Sequence, residues 1–519
     1  MKIKETHVTM KDGTKLATDV YLPEKENSYP ALLIMTPYGR KNKKIFADIF
    51  VSEDYALVVQ DVRGRYDSEG VFDPINQEKE DGLETIDWIK KQSWYNKKGI
   101  GIVGVSYLST CALPAVSKKD EIKTMINIGG FSNAYDLTHR GGALVLHHAL
   151  PWSIITSHSP QPDLSEIDWE EIFSTIPLED AASKAGYPNK IWKEFCKHPI
   201  KDEFWKRTSV KEYLPRINIP IMHMSGWYDL CLGPTVDLFK YFSQNSTAPQ
   251  HLIIGPWTHN TVLDEQKELH SVDFGKESRP GVVTNIVNWF DRWLKDKDID
   301  NDQITTDESN IALFLTGEKR WIHVDQEMEP DDKINLYLSR NRLSKEITPR
   351  SEIVDYIIKE PVPTIGGRVW EFPDAGLEPG PADQSELHQR HDVLLFTTGK
   401  LDQDIVVVGN VICELYGLAQ HESDICVKLV DVYEDGTARF IADGIKRIKG
   451  TDSKEKYRID LWSIAHTFKK DHKIGLEISG SNFPQLSLSS SLMEKGKGEY
   501  TLYMGEGNES KLVLPVLNE

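Results

Sequence analysis

Cysteine is sparse and scattered in this chain: five residues in 519 (Cys111, Cys196, Cys231, Cys413 and Cys426), with no CxxC pair and no zinc spacing. That excludes a disulfide scaffold and predicts reduced thiols in a cytoplasmic protein. Most of the cysteines read as small buried hydrophobes, and Cys111 and Cys231, near the candidate site, as packing residues. Long apolar runs are missing too. No window approaches the roughly 18 apolar residues of a membrane span. Charges break every short run in the first 23 residues, MKIKETHVTMKDGTKLATDVYLP, so no secretory h-region is expected there. Positive charge is in deficit, with 61 Lys and Arg against 80 Asp and Glu for a formal net charge of −19. A phosphate backbone demands a concentrated basic face, so nucleic acid is excluded as a partner, and an anionic membrane surface is disfavoured. The acidity itself serves solubility. Repeats and low-complexity tracts are absent.

What is present is a patterned globular chain, with 39% hydrophobic and 27% charged residues, too long for one hydrophobic core. Asp12-Gly13 marks a hairpin. ALLIMTPYG (31–39), YALVVQDVRG (55–64) and GIGIVGV (99–105) are short apolar runs ending in glycine punctuation, as buried parallel strands do. Residues 77–92 between the last two carry Leu83, Ile86 and Ile89 on one helical face. The alternation resumes with a strand at 219–226, a helix at 235–244, a strand at 251–257 and an amphipathic helix at 285–296. This predicts an α/β fold with a parallel sheet and right-handed crossovers. Residues 137–215 lack strand pattern and read as a helical cap inserted into the sheet domain. After the charged stretch near 297–309, segments such as NIALFLTG, KINLYLS and IVVVGNVICELYGL recur without intervening helices, which predicts an all-β domain. The expected boundaries are 1–136 with 216–305 for the core, 137–215 for the cap and 306–519 for the β domain.

Gly104-Val105-Ser106-Tyr107-Leu108-Ser109 ends a predicted strand and opens a predicted helix, the setting of a nucleophile elbow. Gly104 relieves crowding beneath the turn, while Ser109 stands where a second glycine is usual. A serine hydroxyl attacks only when a positioned base takes its proton, and histidine serves at neutral pH when a carboxylate fixes its tautomer. Asp229 follows the 219–226 strand in SGWYD, and His259 follows the 251–257 strand in GPWTH. Isolated, each reads equally as a turn or cap residue. Together they fall at strand ends in the chain order serine, acid, histidine. The backbone N–H of Tyr107 is an expected oxyanion donor. Tyr38, in the loop after the first parallel strand, either donates its O–H there or packs its ring at a domain edge; the residues leave both open. Trp152 and Trp227 are candidate pocket walls, and they and Trp257 read equally as core. DVRGRYDSEG (61–70) has no Walker lysine and reads as a loop braced by Arg–carboxylate pairs. Asp202, Glu203 and their acidic neighbours have no histidine at metal spacing, so no metal site and no cofactor are expected.

PYGR, DVRGRYDSEG, EKEDGLETIDWI, QSWYNKKGIGIVGVSY, SGWYD and GPWTH together resemble the X-Pro dipeptidyl-peptidase and cocaine-esterase-like hydrolases. The likeness continues through IPLEDA, HPIKDEFW, PVPTIGG, QRHDVLLFTT and IADGIKR, nearly the whole chain. It implies an α/β-hydrolase core, a helical cap and a C-terminal jelly roll that packs on both and walls the acyl pocket. It also implies Ser106, Asp229 and His259 as the triad and Tyr38 as an oxyanion donor. Ser109 departs from the family pattern, as does SNFPQLSLSSS, which lacks the Arg/Asn-rich run common after this proline. The expected activity is hydrolysis of a small-molecule carboxylic ester or amide. The rivals on the same scaffold are an Xaa-Pro dipeptidyl peptidase and an α-amino-acid ester hydrolase or acyltransferase. A non-catalytic binding protein would be expected to have lost a triad member. Homo-oligomerisation and substrate identity stay open at this point.

Overall fold

The computed structural model describes residues 1–299, 304–306, 308–324, 328, 330–372 and 376–518. Ten strands form the first sheet. In spatial order they are Lys2–Thr9, Lys15–Leu22, Ala56–Asp61, Tyr29–Thr36, Tyr95–Val105, Ile122–Ile128, Ile221–Tyr228, Gln250–Thr258, Ile311–Leu315 and Arg320–Val324. The seven from Ala56–Asp61 to Ile311–Leu315 run parallel, and antiparallel strands close both edges. Both faces of the parallel strands are covered, so Tyr29–Thr36 and Gln250–Thr258 are buried at every residue. The helices Glu78–Ile89, Leu232–Asn245 and Val282–Lys295 lie where the 3.6-residue spacing places them. The chain passes from Tyr29–Thr36 to one neighbour and then to the opposite one, Tyr95–Val105. Ligands bind at the carboxyl end of such a switch point, and Tyr38 and Ser106 follow those two strands.

The insertion is a cap of short helices: Leu146–Ser157, Trp169–Phe173, Ala181–Lys184, Lys190–Lys197 and Glu203–Lys206. Its main helix, Leu146–Ser157, is buried along almost its whole length. Beyond residue 330 a second sheet of eleven strands, from Lys333–Ser339 to Lys511–Pro515, forms an all-β domain. Its own core includes Leu336, Val411, Leu429, Leu476 and Leu502.

One boundary is corrected. NIALFLTG was expected in the β domain, yet Leu252, Ile253 and Ile254 pair in parallel with Ile311, Ala312 and Leu313, so this strand extends the first sheet. Arg320–Val324 then pairs on it as an antiparallel edge. At Thr316 the chain meets the β domain: its N–H donates to the Ala465 carbonyl at 3.0 Å, and the Thr467 N–H donates back at 2.9 Å. A mixed apolar cluster fills this junction, with Trp227, Phe239 and Phe314 against Val408, Phe440 and Ala465. The strand Ile122–Ile128, not singled out in the sequence, completes the middle of the first sheet.

Candidate active site

The turn that carries Ser106 is strained. Its φ of 57° and ψ of −125° lie where a side chain rarely goes, between the strand Tyr95–Val105 and the helix Tyr107–Val116. The Ser106 N–H is held by the Ile128 carbonyl at 2.6 Å. Gly104 makes the turn feasible, because a Cβ there would meet Ser109 Cα at 2.6 Å and Cβ at 2.8 Å. Ser109 is accommodated by a polar ladder beneath the elbow. Its hydroxyl donates to Asn127 Oδ1, Asn127 Nδ2 meets His223 Nδ1 at 2.8 Å, and His223 Nε2 meets Gln250 Oε1 at 3.2 Å. All four side chains are buried, and no local pattern in the sequence signals their convergence.

Asp229 is fully buried beyond the strand Ile221–Tyr228. Its Oδ1 lies 2.8 Å from His259 Nδ1 and accepts the Cys231 N–H at 2.7 Å, while Oδ2 accepts the Ser225 hydroxyl at 2.8 Å. Gly129 gives the pair its seat: at φ 61°, a Cβ there would stand 3.0 Å from His259 Cε1 and 3.4 Å from Asp229 Oδ2. Burial alone would depress the His259 pKa, but the Asp229 carboxylate outweighs it and holds the ring well above its ordinary value. Burial likewise opposes ionisation of Asp229, and His259 with the two other donors keeps its pKa low. The Cys231 sulfur shares this corner, within 4.8 Å of donor atoms of both residues. Burial pushes its thiol up to about 11, so at neutral pH it is a protonated packing group rather than a thiolate ligand.

Tyr38 receives the indole N–H of Trp152 at 2.9 Å. Tyr107, first residue of its helix, has a backbone N–H with no partner within the helix. Its phenol donates to Glu78 and accepts the Ile75 N–H at 2.8 Å. Ser106 lies where two cavities meet. One, of about 710 Å³, runs under the cap past Tyr107, Phe195, Gln77, Asp73 and Glu194. The other, of about 280 Å³, contains Tyr38, His259, Lys43, Leu263 and Trp370. Trp152 and His148 line both. His148, unmarked in the sequence, is held neutral by burial, its pKa pushed down to about 3.

Trp227 lies elsewhere: it is buried at the junction of the sheet with the β domain, donates to the Phe314 carbonyl at 2.7 Å, and lines neither cavity at Ser106. Trp257 is core, bound to the Ser278 carbonyl. In the arginine-rich loop, Arg63 pairs with Asp12 and Asp81. Arg40 braces the loop from outside through Asp19, Asp61 and Asp67. Asp202 has a histidine partner, though not a metal cluster: His198 Nδ1, four residues earlier in the linker between two cap helices, lies 2.6 Å from its Oδ2. The same carboxylate caps the helix Glu203–Lys206.

A strained serine after the fifth strand, an Asp–His pair on later strand ends and an α/β sheet define a serine hydrolase of the α/β class. The family model of the X-Pro dipeptidyl-peptidase (S15 family) matches residues 12–261, and that of the X-Pro dipeptidyl-peptidase C-terminal non-catalytic domain matches 378–513. The chain belongs to this family of X-Pro dipeptidyl-peptidase and cocaine-esterase-like hydrolases, and it is an enzyme of ester or peptide hydrolysis. Cocaine esterase of Rhodococcus sp. (strain MB1 Bresler) is 27% identical over 98% of this chain and 97% of its own. An α-amino acid ester hydrolase structure shares the fold with a TM-score of 0.87 at 21% identity, covering 99% of this chain and 96% of the other. An aminopeptidase from a Thaumarchaeota archaeon does so with 0.86 at 20%, covering 100% and 96%. Among the described residues, no helix is long and apolar enough to cross a membrane.

Proposed function

We propose that this enzyme hydrolyses carboxylic esters through an acyl-enzyme formed on Ser106. His259 takes the hydroxyl proton as Oγ attacks the carbonyl carbon, and Asp229 holds the ring and stabilises its cation. The negative charge on the former carbonyl oxygen is met by the Tyr38 O–H and the Tyr107 N–H. His259 then gives its proton to the departing alcohol, and a water activated by the same ring releases the acid. The observation that carries this reading is the Asp229–His259 pair at 2.8 Å, whose histidine lines the smaller cavity together with Ser106.

An ester is favoured over an Xaa-Pro peptide or α-amino-acid ester because those substrates bring an ammonium group that needs an unengaged carboxylate. The two carboxylates lining the larger cavity are already paired: Asp73 with Arg207 at 3.4 Å, and Glu194 with Lys197 at 3.6 Å. A fluorophosphonate probe is expected to label the wild type and not Ser106→Ala. An aryl ester is expected to turn over faster than an Xaa-Pro anilide. Equal labelling of both proteins would defeat the serine assignment, and a faster anilide would favour the peptidase.

A further inference from the structure

Lys43 lines the smaller cavity together with Ser106. It closes the turn Arg40–Lys43 and sits at the N-cap of the helix Lys44–Ser52, which has no side-chain cap. Its ammonium lies 5.6 Å from the centre of the Tyr38 ring. Among the described residues no carboxylate pairs with it, and burial alone pulls its pKa down. The walls nearby are mostly apolar, with Phe46, Leu108, Val262 and Leu263 among them. Glu371, which accepts the Asn260 N–H at 3.0 Å, is not part of this lining. A cation withdrawn from water without a counter-ion is costly, and the positive end of a helix at the same place adds to the field.

Which half of a substrate enters this cavity follows from the proton's path, and so rests on the triad reading above. His259 returns its proton to the leaving group, so the leaving group lies on the histidine's side of Ser106. His259 lines the smaller cavity and not the larger one. The acyl part therefore occupies the 710 Å³ cavity under the cap. We propose that the leaving group of the natural substrate carries a carboxylate, and that Lys43 is its counter-ion. The substrate class is then an ester of a hydroxy acid, with a bulky acyl part and a compact anionic alcohol.

The test compares two esters of one acid, with 4-carboxyphenol and 4-carbamoylphenol as leaving groups of nearly equal size. Wild-type kcat/KM is expected to favour the carboxylate by roughly 10-fold, the scale of a charge-assisted contact in a partly buried site. Lys43→Met should abolish the preference and Lys43→Glu invert it, each through KM. Fluorophosphonate labelling of Ser106 in each variant reports that the site is folded. An unchanged ratio in both labelled variants would overturn the role of Lys43. An equal fall in kcat for both esters would also overturn it, because the lysine would then be acting on Tyr38. Failure of the wild type to be labelled or to hydrolyse either ester would instead count against the triad reading.

Discussion

Trp152 gives its N–H to the Tyr38 oxygen, and a phenol that already accepts one hydrogen bond has its own proton free to donate elsewhere. Burial raises the Tyr38 pKa far above its ordinary value, so the group stays a neutral donor throughout the working range. Tyr38→Phe removes that donor without opening space. It is expected to lower kcat by about 10²–10³ with KM nearly unchanged, as steady-state kinetics on an aryl ester would read; a loss under threefold would sink the oxyanion role. Glu78, behind Tyr107, sets a different test. It is fully buried, one oxygen accepts the Tyr107 O–H, and the other has no partner among the described residues. Burial pushes it up to about 7 from 4.5. The folded protein thus holds this proton more tightly than the unfolded chain. Its stabilising contribution is complete below about pH 4.5 and lost as pH rises to about 7. Glu78→Gln should therefore gain on the wild type by something on the order of 3 kcal/mol between pH 4 and pH 8. Denaturant titrations at the two pH values would read the gain, and a pH-independent gap would mean that the carboxyl is not kept neutral.

At the scale of elements, one arginine joins the two pieces that carry Tyr38 and Trp152. Arg65 is almost wholly buried, and among the described residues no carboxylate pairs with it. It donates through Nε to the Pro37 carbonyl at 2.8 Å, and through its two terminal nitrogens to Ile155, Thr156 and His158 carbonyls at 2.6 to 3.0 Å. Those last carbonyls are the open C-terminal end of the helix Leu146–Ser157, where a cation is also favoured by the helix dipole. Arg65→Met is expected to lower both thermal stability and kcat, and Arg65→Lys to recover only part, since an ammonium cannot reproduce the fork. Full activity in a destabilised Arg65→Met would disconnect the clamp from the oxyanion site. The arginine loop was read as Arg–carboxylate bracing; Arg40 and Arg63 fit that reading, but Arg65 binds carbonyls, and carbonyls leave no mark in a sequence. The same limit explains the other differences. Buried strands were legible because each is an unbroken apolar run. Ile122–Ile128 was not, because Lys123, Thr124 and Asn127 interrupt it, the last for the buried ladder under Ser106. Ile311–Leu315 looked like any β-domain strand, since a strand's partner is not written in its own residues. Ser106, Asp229 and His259 were legible through chain order at strand ends. Lys43 and His148 come from a turn and from the cap, so only folding brings them to the serine.

At the scale of the molecule, the β domain is latched to the sheet domain directly behind Asp229. Trp462 adopts φ 64° and lies over Gly233, at the start of the helix that follows Asp229. The Arg140 guanidinium stacks 4.0 Å from its ring centre, and Arg368 lies 5.5 Å away. Asp443 of the β domain answers both, at 2.8 Å to Arg140 and 3.6 Å to Arg368. Arg368 also donates to the Trp227 carbonyl at 3.0 Å and the Leu461 carbonyl at 2.8 Å, which ties the two sheets together. Gln485 supports the latch from the loop that departs from the family pattern, donating to the Arg368 carbonyl at 3.0 Å. Removing Asp443 leaves two guanidinium groups facing each other with one of them fully buried, a loss of about 3–5 kcal/mol for a broken buried pair. Asp443→Ala should therefore inactivate faster on heating and be cleaved sooner between the domains by a protease. At low temperature it should still label at Ser106, because none of the groups around the serine is touched. A variant that inactivates at the wild-type rate would show that the domains are held by the apolar junction of Trp227, Phe314 and Phe440 alone. Loss of labelling at low temperature would mean instead that the latch shapes the site, through the helix that begins three residues after Asp229.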